Sequence, residues 1–317
     1  MRFLALVPFL FSALATAQSY PSKPIHLIVP FPPGGPTDIV GRMVGQKLSE
    51  GIGQPVVVEN RPGAGGTVGS ASVAKAPADG YTLLYGSTST LAIAPSLYRN
   101  LAYDPFKSFA PISLVSSGPI IVAVNSQVPA NTLKEFIDLA KKQPGKLNYS
   151  SGGNGTPPHL AGELFKTIAG VDLLHIPYKG GGPAINDVAA GQVQAVFEGQ
   201  VALMPHLQSG RIRALAITGA KRNPALPQVP TMAEAGLPKY DANFWSGVVA
   251  PAGTPPETIS RLNAVLVKAL QSPEVRETLL RQGLEPAGNT PREFASHIAA
   301  EAEKWAAVVK TSGAKLD

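Results

Sequence analysis

Two stretches of the sequence combine glycines and prolines with hydroxyl or acidic side chains in a pattern suited to holding an anion. PFPPGGPTDIV follows an apolar run at residues 25–29, and YKGGGPAINDV follows a second apolar run. Each stretch opens a helical pattern. Glycines let backbone N–H groups approach a ligand closely, and a helix start adds free donors and partial positive charge. Residues 31–38 (the first loop) and 178–182 (the second loop) are therefore predicted to form matching halves of one site.

Three more glycine-rich segments follow apolar runs, at residues 60–69, 86–90 and 150–156. In parallel α/β sheets such segments lie at the carboxyl ends of the strands, where ligands bind. Any single one of them is also compatible with an ordinary connection between a strand and a helix. Five together favour a binding cleft that holds a small anion through neutral donors.

Three polar residues near these segments each have more than one interpretation. Asp38 lies in a first helical turn, where it caps the helix or contacts a ligand. Glu198 ends the strand-like run VQAVFEG, where it accepts a hydrogen bond from a ligand hydroxyl or amine, or faces solvent. His159 follows SSGGNGTPP at a helix start, and its role is capping, packing or ligand contact.

Other chemistries lack their sequence patterns. No G-x-x-x-x-G-K-[ST] phosphate loop occurs, and Val68 breaks the dinucleotide pattern in NRPGAGGTVG. GSTST lacks the second glycine of a nucleophile elbow. The five histidines show no zinc spacing and there is no cysteine, so no metal or other cofactor is predicted. An exported hydrolase that uses Ser87 or Ser151 with His159 remains an alternative, although no orienting acid is evident.

The N-terminal segment MRFLALVPFLFSALATA has the form of an export signal. It combines Arg2, an apolar stretch and an Ala-x-Ala site that predicts cleavage near Ala17 and a periplasmic location. Without Arg2 the formal charge falls from +6 to +5. The basic residues are scattered and aromatic residues are few, so no nucleic-acid partner is predicted.

The remaining pattern alternates short apolar runs with amphipathic helical patterns, which predicts an α/β protein with largely parallel sheets. Thr-x-x-Glu boxes at Thr132, Thr254 and Thr290 predict helix starts. Strands are predicted at residues 25–29, 55–59, 82–85, 120–124, 147–150, 173–176, 193–197, 214–218 and 247–250.

Several long segments resemble the Bug family, the periplasmic solute receptors of tripartite tricarboxylate transporters. Those that carry the resemblance include IVPFPPGGPTDIVGRMV, GKLNYSSGGNGTPPHLAGELFK and HIPYKGGGPAINDVAAGQVQAVFEG. The similarity runs in order from about Tyr20 to the C-terminus. It implies a type II periplasmic-binding-protein fold, in which two α/β lobes are joined by two crossover strands around a central cleft. Residues 1–17 would be the signal peptide, 20–124 plus 243–317 lobe one, and 125–242 lobe two.

The resemblance also implies the function. Such receptors are not enzymes; they capture a small carboxylate by lobe closure, are usually monomeric, and deliver the ligand to membrane permease subunits. A sensory protein that uses the same closure is the alternative. Many relatives carry Asp-Asn or Asp-Ser where this chain has Glu198-Gly199, which leaves the distal ligand group open. The predicted ligand-binding residues are Phe31, Pro33, Gly34, Gly35, Thr37, Asp38, Ser87, Thr88, Ser151, Asn154, Gly155, Thr156, His159, Tyr178, Lys179, Gly180, Gly181 and Glu198.

Overall fold

The apolar runs of the sequence form the strands of two sheets. The computed structural model describes residues 20–219 and 221–314, so the predicted signal peptide lies outside the described residues. The strands are β1 (Ile25–Val29), β2 (Val56–Asn60), β3 (Thr82–Ser87), β4 (Phe109–Gly118), β5 (Ile120–Asn125), β6 (Asn148–Ser151), β7 (Leu174–Pro177), β8 (Ala195–Gly199), β9 (Ile212–Ile217), β10 (Phe244–Pro251) and β11 (Glu285–Pro286).

Helices follow most of the strands and cover the sheets. They are α1 (Pro36–Ile52), α2 (Thr67–Ala74), α3 (Ala94–Leu97), α4 (Leu133–Lys142), α5 (Pro157–Ala169), α6 (Gly181–Ala189), α7 (Gln200–Gln208), α8 (Pro256–Leu270), α9 (Pro273–Arg281) and α10 (Pro291–Ser312). Thr132 and Thr290 cap α4 and α10 as predicted. The predicted cap at Thr254 is wrong: its hydroxyl donates to the Pro251 carbonyl, and α8 begins at Pro256.

Both sheets are mixed, which corrects the prediction of largely parallel sheets. The first has the order β11-β4-β10-β3-β1-β2, and the second the order β7-β6-β8-β5-β9. β10 runs antiparallel to β3 and β4, and β5 runs antiparallel to β8 and β9. These two strands come directly after the chain passes from one sheet to the other, so each enters its new sheet from the opposite end.

The two passages between the sheets define the lobes. The first follows Gly118 at the end of β4, and the second precedes β10. Since β5 belongs to the second sheet, residues 120–124 pair with the second lobe, whereas the sequence prediction gave them to the first. On sheet membership we propose Pro119 as the first boundary.

The C-terminal helix α10 joins the two lobes along one side. Trp305 on this helix is fully buried, and it belongs to a hydrophobic cluster that includes Phe165 of α5 and Tyr240. The indole N–H groups of Trp245 and Trp305 both donate to the Glu301 carboxylate, at 2.9 and 3.1 Å. The lobes therefore share packed core as well as two chain crossings.

Candidate functional site

A cleft of about 370 Å³ lies between the two lobes, where strands end and helices begin. Eight of the predicted residues line it, four from each lobe. A larger groove of about 1190 Å³ on the second lobe beside β9 is lined by none of them. The eight that line the cleft are Phe31, Thr37, Ser87, Thr88, Thr156, Gly180, Gly181 and Glu198.

The first loop reaches the cleft through Phe31 and Thr37, and Asp38 holds it from behind. The buried Asp38 carboxylate accepts hydrogen bonds from the Gly34 N–H at 2.9 Å, Asn60 Nδ2 at 2.8 Å and Arg42 Nε at 3.0 Å. Burial opposes ionisation, but these three bonds outweigh it and hold the pKa of Asp38 below its usual value. Asp38 thus shapes the loop and does not line the cleft.

The second loop is held by backbone contacts. The Gly180 N–H donates to the Gly152 carbonyl at 3.1 Å, and Gly180 has a φ of +112°. A Cβ on Gly152 would lie 3.0 Å from the Gly181 nitrogen. The segments that follow β6 and β7 therefore meet at a distance shorter than most Cβ contacts, which favours glycine at residue 152.

Four helices begin at the cleft: α1, α5, α6 and α7. Helix N-termini carry partial positive charge and favour anions. No Lys, Arg or His of the described residues lines the cleft. The attraction for an anion would therefore come from helix ends and neutral donors.

Hydroxyl groups of the first lobe form a network on its side of the cleft. Tyr85 and Ser246 form a hydrogen bond of 2.6 Å, and Ser116 lies 3.2 Å from the same Ser246 oxygen. Thr88 Oγ1 accepts from the Trp245 N–H at 2.7 Å. Ser87 Oγ is buried and has no hydrogen-bond partner among the residues described.

Sequence reasoning missed Ser116, Ser246 and the apolar wall formed by Val40, Phe244, Trp245 and Leu284. Ser116 and Ser246 lie inside strands, whereas most of the predicted site residues lie in loops. In SLVSSG and FWSGVVAP, serines interrupt otherwise apolar strand residues. This pattern could have indicated that the two serines line a polar site. Their meeting depends on the antiparallel pairing of β4 with β10.

Glu198 presents a carboxyl group to the cleft from the second lobe. Its Oε1 accepts the Gly199 N–H at 2.9 Å, and its Oε2 lies 3.1 Å from the position of a Cβ on Gly181. The side chain keeps access to the cleft, but surrounding protein removes part of its hydration. This burial raises the pKa of Glu198 to about 7.

Ten predicted residues lie beside or behind the cleft without lining it. Several stabilise its loops: Tyr178 donates to Asp187 at 2.5 Å, and the Gly155 N–H donates to His159 Nδ1 at 3.0 Å. Ligand contact by any predicted residue stays a prediction. The ten are Pro33, Gly34, Gly35, Asp38, Ser151, Asn154, Gly155, His159, Tyr178 and Lys179.

Ser151 pairs with a different histidine from the one in the hydrolase alternative. Its Oγ lies 2.7 Å from His175 Nε2, and the His175 ring stacks on His159 with centroids 4.1 Å apart. Burial, together with the neighbouring His159, lowers the pKa of His175 to about 3. Ser151 Oγ also bonds the Gly153 carbonyl. This buried network supports the 150–156 segment instead of offering a nucleophile to the cleft.

Comparisons with known proteins agree with this architecture. Residues 40–314 match the model of the tripartite tricarboxylate transporter family receptor, TctC. The chain belongs to this family. It is 42% identical to the protein BugT of Bordetella pertussis, over 96% of this chain and 94% of BugT.

Two solved structures are also similar over nearly the whole chain. An R. palustris protein solved with adipate is 38% identical with a TM-score of 0.83, and covers 94% of this chain and 100% of its own. MatC from Rhodopseudomonas palustris, solved with malate, is 34% identical with a TM-score of 0.79, and covers 92% and 100%. These matches confirm the two-lobed binding-protein fold and the resemblance to Bug receptors.

The family is one of periplasmic solute receptors and not of enzymes, so the hydrolase alternative is set aside. No group of three or more His, Cys, Asp or Glu residues within 20–219 and 221–314 is arranged to hold a metal ion. Over the same residues, every helix is too short or too polar to cross a bilayer.

Proposed function

We propose that this protein is a periplasmic receptor that captures a small organic carboxylate between its lobes and delivers it to a tripartite tricarboxylate transporter. The observation that carries the proposal is the composition of the cleft. Residues of both lobes line it, four helices begin at it, and no basic side chain lines it in the described chain. The adipate and malate found in related structures support a carboxylate as the ligand.

Capture would work by closure of the lobes. A ligand that contacts Thr37 and Ser87 on one side and Gly181 on the other stabilises the closed arrangement, because only that arrangement makes both sets of contacts. The chain crosses between lobes at Gly118 and Pro119 and again just before Phe244, so few backbone torsions need to change. The closed surface would be what the permease recognises.

A thermal-unfolding screen over monocarboxylates, dicarboxylates, amino acids and aromatic acids tests the binding step. Ligand at 100 times its dissociation constant adds about 2.7 kcal/mol, which raises the melting temperature by several degrees. Small-angle X-ray scattering with and without the best ligand checks closure as a smaller radius of gyration. A screen in which no acid raises the melting temperature would refute the proposed ligand class.

Delivery is tested separately by uptake of the labelled ligand into cells with and without the gene for this chain. We expect uptake at low ligand concentration to depend on the gene. Unchanged uptake together with tight binding would favour the alternative of a ligand-binding sensory partner, which uses the same closure without a dedicated permease.

A further inference from the structure

Glu198 carries the only carboxyl group that lines the cleft in the described part of the chain, and no basic side chain accompanies it there. Its Oε1 accepts the Gly199 N–H, whereas its Oε2 forms no hydrogen bond with the described residues. Oε2 is therefore available to a molecule in the cleft. An oxygen of this kind needs a hydrogen-bond donor, and the residues described supply none.

The position of this carboxyl matters as much as its chemistry. Oε2 lies at the first residue of α6, 3.1 Å from the Cβ position of Gly181, and Glu198 itself precedes the first residue of α7 by two positions. The protein thus places its own carboxyl at two of the four helix starts. A ligand carboxylate in the same place would meet a like charge, which costs binding free energy.

The first-lobe side of the cleft carries hydroxyl groups in place of a carboxyl group. Thr37 lies in the first turn of α1 and Ser87 ends β3, and Ser87 Oγ is buried without a hydrogen-bond partner among the described residues. The Thr88 hydroxyl is instead bonded to the Trp245 backbone. Among the described residues no acidic side chain lines this side, since Asp38 is turned into its own hydrogen bonds behind the loop. The same lobe also supplies the apolar wall of the cleft, formed by Val40, Phe244, Trp245 and Leu284.

We infer that the ligand is a monocarboxylate with an apolar body and a hydrogen-bond donor, a hydroxyl or an ammonium group, at its far end. Its carboxylate lies against the first-lobe hydroxyls and its donor against Glu198 Oε2. This inference rests on the proposed function and narrows it, because it excludes a second carboxylate as the far group. The pKa of about 7 places Glu198 in its ionised form in mildly basic solution, where the discrimination is greatest.

Isothermal titration calorimetry at pH 8 with matched acids tests the inference. Each set shares one carbon frame and varies the far group: succinate with 4-hydroxybutanoate and 4-aminobutanoate, adipate with 6-hydroxyhexanoate and 6-aminohexanoate, and terephthalate with 4-(hydroxymethyl)benzoate and 4-(aminomethyl)benzoate. Within the set that binds best, we expect the hydroxyl or ammonium acid to bind roughly tenfold or more tightly than the dicarboxylate, because a charged hydrogen bond replaces a like-charge contact.

Glu198→Gln removes the charge at nearly constant size. We expect the ammonium acid to lose affinity roughly tenfold and the dicarboxylate to gain, so that the preference shrinks or reverses. Glu303→Gln makes the same charge change at an exposed position of α10 and is expected to leave every affinity unchanged.

The outcomes separate the inference from the proposed function. If a dicarboxylate binds the wild type as tightly as its matched partners, and Glu198→Gln leaves the ratio unchanged, the inference is overturned and the carboxylate receptor stands. A dicarboxylate that is the tightest ligand of its set at pH 8 would also overturn it, since an ionised Glu198 would then face a second carboxylate. If no acid of any set binds, the proposed function fails together with the inference.

Discussion

The first and second loops look alike in sequence but are held in place by different means. Side chains hold the first loop in place. Asp38 accepts hydrogen bonds from the Gly34 N–H, Asn60 and Arg42, and Asn60 also donates to the Phe31 carbonyl at 3.0 Å. The second is fixed by backbone packing of Gly180 on Gly152. The two glycine-rich loops are therefore stabilised differently. The first depends on a buried carboxylate, and the second depends on close backbone packing between glycines.

The largest expected effect comes from adding a carboxylate to the second loop. In Gly181→Asp the new Cβ lies 3.1 Å from Glu198 Oε2, so two acids share one place and the cleft is filled. We expect ligand affinity to fall roughly hundredfold or more, measured by calorimetry with the best acid from the screen.

Gly182→Asp is the matched control. It adds the same charge to the same helix turn, but a Cβ on Gly182 has no atom within 4 Å. We expect affinity close to that of the wild type. Equal losses in the two variants would mean that charge near α6, and not contact at residue 181, governs binding.

Removal of the Asp38 carboxylate should release the first loop. Asp38→Ala leaves the Gly34 N–H and Asn60 without their acceptor, at a buried site. We expect the free energy of unfolding to fall by about 2–3 kcal/mol and ligand affinity to fall with it. Urea unfolding and calorimetry measure the two effects, and a variant as stable as the wild type would contradict the role given to Asp38.

The two loops should respond to acid in different pH ranges. The pKa of His175 is lowered to about 3, so the unfolded chain takes up a proton below about pH 6.5 that the folded chain does not. Stability linked to the 150–156 segment, on which the second loop packs through Gly152, therefore falls as the pH drops from about 6.5 toward 3, by at most about 1.4 kcal/mol per pH unit for this group. The pKa of Asp38 is also lowered, so its contribution is present above about pH 4 and is lost only below it.

Denaturant unfolding across pH 3–8 checks this difference. His175→Gln should flatten the dependence between about pH 4 and 6.5, whereas Asp38→Asn should flatten it only at the acid end. A His175→Gln protein with the wild-type pH profile would show that the stacked histidines do not control this range.

The smallest effect is expected at the hydroxyl of Tyr178. It donates to Asp187 on the partly exposed face of α6, and burial with this hydrogen bond raises its pKa to about 12. Tyr178→Phe should cost about 0.5–1 kcal/mol of stability and leave ligand affinity unchanged. A large loss of affinity would place Tyr178 in the binding surface and weaken the distinction between side-chain and backbone support.

Much of this architecture was predictable because it is local. All nine predicted strands are present within about three residues, since continuous apolar runs such as residues 25–29 and 120–124 indicate buried strands. β4 was missed: FAPISLVSSG contains Pro111 and three serines, so it lacks a continuous apolar run. The segment forms a strand because it pairs with β10, which is far from it along the chain, so local sequence did not indicate it.

The cleft was predicted less completely for the same reason. Loop chemistry indicated Thr37, Ser87 and Gly181, but the orientation of a side chain within a loop depends on its hydrogen bonds. Asp38 and His159 have the residue types of ligand contacts and are turned to Gly34 and Gly155 instead. Ser246 enters the site only through the pairing of β10 with β3 and β4 within the first sheet, between strands far apart along the chain.

The return of the chain to its first sheet has a consequence for the order of folding. Every strand of the second sheet lies within residues 120–217, so that lobe is a continuous piece of chain. The first sheet is completed only when β10 pairs Ser246 with Ser87, which closes a loop containing the entire second lobe. Closing a long disordered loop costs entropy, and prior folding of the enclosed segment shortens it. We therefore expect the second lobe to fold first. Its folding would bring β3 and β10 close enough to pair.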